Sequence, residues 1–134
     1  MRRNTLDNIR WKVTDPLGNE IFLSEENFRY HIIGSHADKD ADVRKSLEDH
    51  VKYSVEHPRF IVKAPNFDGR HIYLDFVDIV NEDSISIRPL FVVVEDNNEI
   101  VTWFAKRTVN VNIKETGGII YDKRIHHLQV QREV

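Results

Sequence analysis

The residues of this chain that could do chemistry are its histidines, together with a hydroxyl and two cations gathered at positions 102–107. Seven histidines are present: His31, His36, His50, His57, His71, His126 and His127. A metal site needs several ligands converging on one point, and the local spacings do not supply them. His31 and His36 are separated by a stretch containing Gly34, the adjacent His126 and His127 would point opposite ways on a strand, and no His-Glu-x-x-His run occurs. No metal and no cofactor is therefore expected. Gly117-Gly118 is not followed by Lys and Ser or Thr, so there is no phosphate-binding loop, and a Gly-x-Ser-x-Gly elbow is also missing. The chain has no cysteine, which excludes thiol nucleophiles, thiolate metal sites and disulfides.

Metal-independent acid/base chemistry remains. Its candidates are His31, Thr102 and Arg107, with Lys106, His71 and Arg88 as residues that could hold a substrate. Cleavage of RNA by transphosphorylation suits such a set. The ribose 2′-OH is the nucleophile, so the protein supplies only a base, an acid and cationic stabilisation of the pentavalent phosphorus. Imidazole titrates near neutrality, and guanidinium or ammonium groups can hold the phosphate. Each residue also has a plainer use. His31 follows Phe28 by three and suits a position capping the core, Thr102 is an ordinary strand residue, and Lys106 and Arg107 suit a solvated strand end. Most carboxylates read as solubilising surface; Asp75 and Asp78, flanked by apolar strand positions, are the ones to inspect for burial.

These side chains must be positioned by the elements that carry them. Ile9 to Thr14 alternates at period two, Asp15-Pro16-Leu17-Gly18-Asn19 has turn chemistry, and Glu20 to Leu23 returns, which predicts an N-terminal hairpin. Ser24 is a good N-cap for a helix over Glu25 to about Ile33, with Phe28 and Ile32 on one face and Gly34 as its stop; Asn27 leaves a capping box incomplete. A second helix follows Asp42, with Val43, Leu47, Val51 and Val55 along one stripe, and ends at His57-Pro58. Strands are expected at Phe60–Val62, His71–Val80, Ser84–Val94, Glu99–Ala105 and Ile119–Tyr121. Leu90 to Val94 is apolar on both faces, as in a strand covered from both sides. Pro89 lacks a ladder donor, which predicts a bulge or an edge position near residues 88–89. The expected fold is α+β: an N-terminal β-hairpin and two helices packed on a four- to five-stranded antiparallel sheet. Its 134 residues, 40% of them hydrophobic, suit one domain, with a core at about 9–107 and a C-terminal extension over 108–134.

The net charge of −3 does not suit a simple nucleic-acid coat, but its distribution is uneven. Residues 103–134 carry six basic and three acidic side chains, whereas residues 59–102 carry four and eight. A phosphate-binding strip toward the C-terminus and a merely solvated face both fit this pattern. No apolar run approaches the ~20 residues of a membrane-spanning helix, and no secretory signal follows the basic start, so a cytoplasmic location without membrane association is expected.

The order of these parts resembles a known family. A histidine-bearing first helix (Asn27-Phe28-Arg29-Tyr30-His31-Ile32-Ile33), a second helix ending near His57-Pro58 and the extended Arg59-Phe60-Ile61-Val62 come first. A hairpin follows, Leu90-Phe91-Val92-Val93-Val94 and Glu99-Ile100-Val101-Thr102-Trp103-Phe104. Together they resemble the phage and mobile-element branch of the barnase–EndoU–colicin–RelE-like nuclease superfamily. The resemblance covers roughly residues 25–107. It implies helices packed on an antiparallel sheet and metal-independent action on RNA. It also implies His31 as acid/base, Thr102 as a phosphate or hydroxyl contact, and Arg107 or Lys106 as the cation. RNA and a cognate inhibitor or other protein are the partners it suggests. The chain departs from the family's usual basic charge, and its N-terminal hairpin and its tail beyond Gly117 lie outside the match. A non-catalytic interaction module of a mobile element is the alternative, and it predicts an exposed apolar patch or sheet edge.

Overall fold

The computed structural model describes residues 8–33, 44–65, 69–80, 82–106 and 116–125, with the side chains of His31 and Ile33 excepted. Strands β1 (Ile9–Thr14) and β2 (Glu20–Ser24) form the N-terminal hairpin, with Trp11 opposite Leu23 and Val13 opposite Ile21. Gly18 turns the chain with a φ of 89°, a conformation that costs a side-chain-bearing residue ~1–2 kcal/mol. The turn is tied by Asp15, whose Oδ1 accepts from the backbone N–H groups of Leu17 and Asn19 at 3.0 and 2.8 Å.

Ser24 caps the following helix as its residue type predicts, accepting from the Asn27 N–H at 3.0 Å. Helix α1 (Glu25–Asn27) then widens into a π-helical segment over Phe28–Ile33. Phe28 and Ile32 are buried, as the periodicity predicts; a four-residue spacing serves either helix type, so it does not distinguish them. After a helical turn at Arg44–Ser46, α2 (Glu48–Glu56) continues the expected stripe through Leu47, Val51 and Val55, all buried. Val43 lies outside the described residues. Pro58 ends the helix as expected.

The remaining strands are β3 (Phe60–Lys63), β4 (His71–Val80), β5 (Ile85–Val94), β6 (Ile100–Ala105) and β7 (Ile119–Asp122). They form one antiparallel sheet in the order β6-β5-β4-β3-β7, so the fold is α+β. The fifth strand comes from the segment placed beyond the core by sequence: β7 pairs with β3, and its Tyr121 joins the core. Pairing of β4 with β5 runs unbroken from His71 opposite Val94 to Val80 opposite Ile85, straight through Pro89. The expected bulge at 88–89 is thus not there. Pro89 lies where β6 stops pairing, its carbonyl accepting the Lys106 N–H at 3.0 Å. Its missing donor faces Lys106, just past the last paired residue of β6, so only the reciprocal half of this final contact is lost. The irregularity in this hairpin falls instead between Val93 and Val94.

Strand alternation gives the sheet two faces. One carries Ile61, Tyr73, Val77, Leu90, Val92, Val94, Trp103 and Tyr121, and packs with β2, the helices and Ile100 into the main core. The other carries Val62, Leu74 and Phe91, with Phe60, Ile72 and Phe104 around them. The outer halves of β4 and β5 run beyond both neighbours as a two-stranded ribbon, where Val80, Ile85 and Ile87 are 71%, 71% and 60% exposed. No helix among the described residues is long and apolar enough to cross a membrane.

Candidate functional site

The edge of the sheet at β6 gathers groups from three distant parts of the chain. Trp103 points into the main core, fully buried, and its indole N–H donates to the Arg44 carbonyl at 2.8 Å. That bond seats the Arg44 backbone on the core side of β6. The Arg44 side chain then reaches around the open edge of the strand, where Nη1 donates to Thr102 Oγ1 at 3.1 Å and to the Trp103 carbonyl. The Thr102 hydroxyl accepts from a guanidinium, which leaves its own proton available to donate. A half-buried cation and a hydroxyl in contact are the elements of an oxyanion site.

The π-helical segment packs beside this edge. Phe28 sits 6.2 Å from Trp103, centroid to centroid, and its ring lies 3.8 Å below the Arg10 guanidinium. Arg10 in turn holds Glu48 at the start of α2, through Nε and Nη2, and Trp11 donates to the same carboxylate at 2.8 Å. Burial pushes the Glu48 carboxyl up, but the bonds from Arg10 and Trp11 outweigh it and hold Glu48 below its ordinary range; Glu48 raises Arg10 correspondingly.

A buried polar knot fixes the same helix to the start of β6. The Glu99 carboxylate, 5% exposed, accepts from Ser24 Oγ and Asn27 Nδ2, each at 2.8 Å, and Asn27 also donates to the Ile100 carbonyl at 3.0 Å. Asn27, which fails to complete a capping box, thus spends its amide on the sheet. A second buried contact, Tyr73 Oη to Asp15 Oδ2 at 2.5 Å, ties the N-terminal turn to β4. Burial, then Asp15, pushes the Tyr73 phenol far above its ordinary value.

The candidates from sequence are distributed as follows. His31 lies on the π-helical segment that packs against β6, its side chain outside the described residues, as is Arg107. Thr102 is at the site. Lys106 shares its sheet face, exposed, with Nζ 4.4 Å from the Phe91 ring centroid. The register puts His71 opposite Val94 and Arg88 opposite Val77, both on the core face and away from Thr102, which lies opposite Val93. His71 instead lines a pocket of about 470 Å³ with Lys63, Arg70 and Gly117. Asp75 is mostly buried and bound to Arg59 at 3.1 Å, whereas Asp78 is exposed. Among the described residues, no group of three His, Asp or Glu side chains sits close enough to hold a metal ion.

Arg44 escapes sequence reasoning. It precedes Thr102 by 58 residues and lies beside the apolar stripe, but nothing in the pattern selects it from 19 basic residues. A scan against protein-family models finds no match for this chain, and no curated protein matches it significantly in sequence.

Proposed function

We propose that this chain is a metal-independent ribonuclease-like domain that cleaves RNA at the β6 edge. The observation that carries the proposal is the Arg44–Thr102 contact at the open edge of β6, the strand whose core face packs, through Trp103, against the helical segment bearing His31. In this reading a base takes the proton of the ribose 2′-OH, and the oxygen attacks the adjacent phosphorus. The bond from phosphorus to the 5′-oxygen breaks, an acid returns a proton to that oxygen, and a 2′,3′-cyclic phosphate remains. His31 is assigned acid/base work, since imidazole exchanges protons near neutral pH. Arg44 holds a non-bridging oxygen through its guanidinium, in the role that resemblance gives to Arg107 or Lys106, and Thr102 donates its proton to a second oxygen. The reading draws also on the resemblance of the sequence to a nuclease superfamily whose members set helices before an antiparallel sheet. Incubation with RNA in EDTA tests the reading: cleavage by the wild type, lost in His31→Ala and slowed at least tenfold in Arg44→Gln, supports it. Intact RNA with the wild type overturns it.

A second reading has its own observation. The ribbon of β4 and β5 exposes Val80, Ile85 and Ile87 together on one face, the kind of apolar patch an interaction module presents. Sedimentation distinguishes it: self-association abolished by the pair Ile85→Ser and Ile87→Ser, with no RNA cleavage, favours the module.

A further inference from the structure

The sheet face that bears Thr102 carries aromatic rings and cations well beyond the β6 edge. Phe91 and Phe104 stack at 5.3 Å with 7° between their planes, and Lys106 lies over Phe91. Toward the opposite edge, Arg59 approaches Phe76 at 5.1 Å and Arg124 approaches Phe60 at 5.5 Å. Phe60 also floors a largely apolar pocket of about 330 Å³, walled by Arg59, Lys123 and Arg124. Backbone pairing builds this pocket: Phe60 stands opposite Asp122, and the Lys123 N–H donates to the Arg59 carbonyl at 3.0 Å.

The charges around the pocket are three cations against two carboxylates. Arg59 is paired with Asp75 at 3.1 Å and Arg124 with Asp122 at 3.0 Å. Lys123 is exposed and has no ion pair among the described residues. The hydrogen bonds from Arg124 hold the Asp122 carboxyl below its ordinary range, so the pocket keeps this balance at neutral pH. A planar ring floor with cations at its rim is the pattern that takes an unpaired base on the ring and its phosphate on the rim. Paired bases cannot reach such a floor, because their faces are hidden in the stack.

We propose that Phe60, Arg59, Lys123 and Arg124 form a subsite for one unpaired nucleotide of a single-stranded RNA. The base stacks on Phe60, and Lys123 with Arg59 holds the phosphate. The strand continues over Phe91 and Phe104 to the Arg44–Thr102 edge, three strand spacings of ~4.8 Å from β3. This deepens the nuclease reading and rests on it for the choice of RNA.

The test uses the full chain and a fluorescent 2′-O-methyl oligouridine, which has no free 2′-OH and so reports binding without cleavage. Fluorescence anisotropy should show binding by the wild type, weakened roughly 5- to 150-fold in Phe60→Leu, since a base–aromatic stack contributes ~1–3 kcal/mol. Lys123→Gln, a change at an exposed position that leaves the fold intact, should weaken binding and lower the slope of log affinity against log salt by about 0.7. No binding by the wild type overturns the proposal, as does wild-type affinity in both variants. Stronger binding to the duplexed oligonucleotide or to polyglutamate also overturns it. Cleavage of unmodified RNA, measured in parallel, separates the two claims. Binding that depends on Phe60 without any cleavage keeps the subsite and removes the nuclease; cleavage with no effect of either variant does the reverse.

Discussion

Replacing Glu99 with alanine removes the acceptor that joins the N-terminal helix to β6. Two buried donors, Ser24 Oγ and Asn27 Nδ2, each lose a 2.8 Å bond to its carboxylate. A hydrogen bond to a charged group contributes about 1.5–3 kcal/mol, and a buried donor left unpaired carries its desolvation cost. Removing the carboxylate itself recovers part of the cost of burying a charge. The net expectation for Glu99→Ala is a loss of about 3 kcal/mol, or a fall in Tm of about 12 °C at roughly 4 °C per kcal/mol for a chain of this length. Glu99→Gln keeps the shape and one acceptor and should cost about half as much. The control is Glu95→Ala, which breaks the partly exposed pair with Arg70 at 2.8 Å and should cost about 0–1 kcal/mol. Urea denaturation followed by circular dichroism measures all three. Equal midpoints for Glu99→Ala and Glu95→Ala would refute the reasoning, because they would mean that the buried knot holds the helix no better than a surface pair.

Three further outcomes follow from particular contacts. Tyr73→Phe leaves Asp15 Oδ2 without its 2.5 Å donor and should lower the unfolding free energy by about 1.5–3 kcal/mol in urea; an unchanged midpoint contradicts the contact. Glu48 has a folded pKa below its unfolded value, so its contribution is complete above the ordinary carboxylate pKa of ~4.3 and is lost as pH falls through the lower folded value. Glu48→Gln should therefore flatten the acid limb of stability against pH, and parallel limbs would contradict the assignment. Gly69 has a φ of 83°, and a Cβ there would stand 2.9 Å from the Asp96 Cβ. Gly69→Ala should thus cost more than Gly18→Ala, where the space is open, and Asp96→Gly should relieve the difference; equal losses in both backgrounds contradict the clash.

Much of the fold was legible because its signals are local. Ser24 as a cap, the stripe of Leu47, Val51 and Val55, the stop at Pro58 and the full extent of β4 all follow from periodicity and turn chemistry. Pro89 was half legible: its missing donor requires a gap in pairing, but whether a bulge or a strand end supplies the gap depends on the length of β6. The π-helical widening left no mark, since Phe28 and Ile32 are buried in either geometry. The site was legible only where strand position decides it. Thr102 and Lys106 share a face by parity, and the same parity sends His71 and Arg88 to the other one once the register is known. Arg44 was not legible at all, because its role arises from wrapping a strand edge 58 residues away, a contact that no spacing encodes. The rings of Phe60, Phe76, Phe91 and Phe104 were visible as strand residues, but the cation at Phe60 is Arg124, which stands there only because β7 joins β3.

The most direct measurement is RNA cleavage by the full chain in EDTA, with products resolved by their ends and wild type compared with His31→Ala, Arg44→Gln and Thr102→Val. Transphosphorylation at the β6 edge predicts 2′,3′-cyclic phosphate ends from the wild type, none from His31→Ala, and rates reduced at least tenfold by Arg44→Gln and less by Thr102→Val, in proteins that remain folded. Uncleaved RNA with the wild type, or equal cleavage by wild type and His31→Ala, would contradict the account.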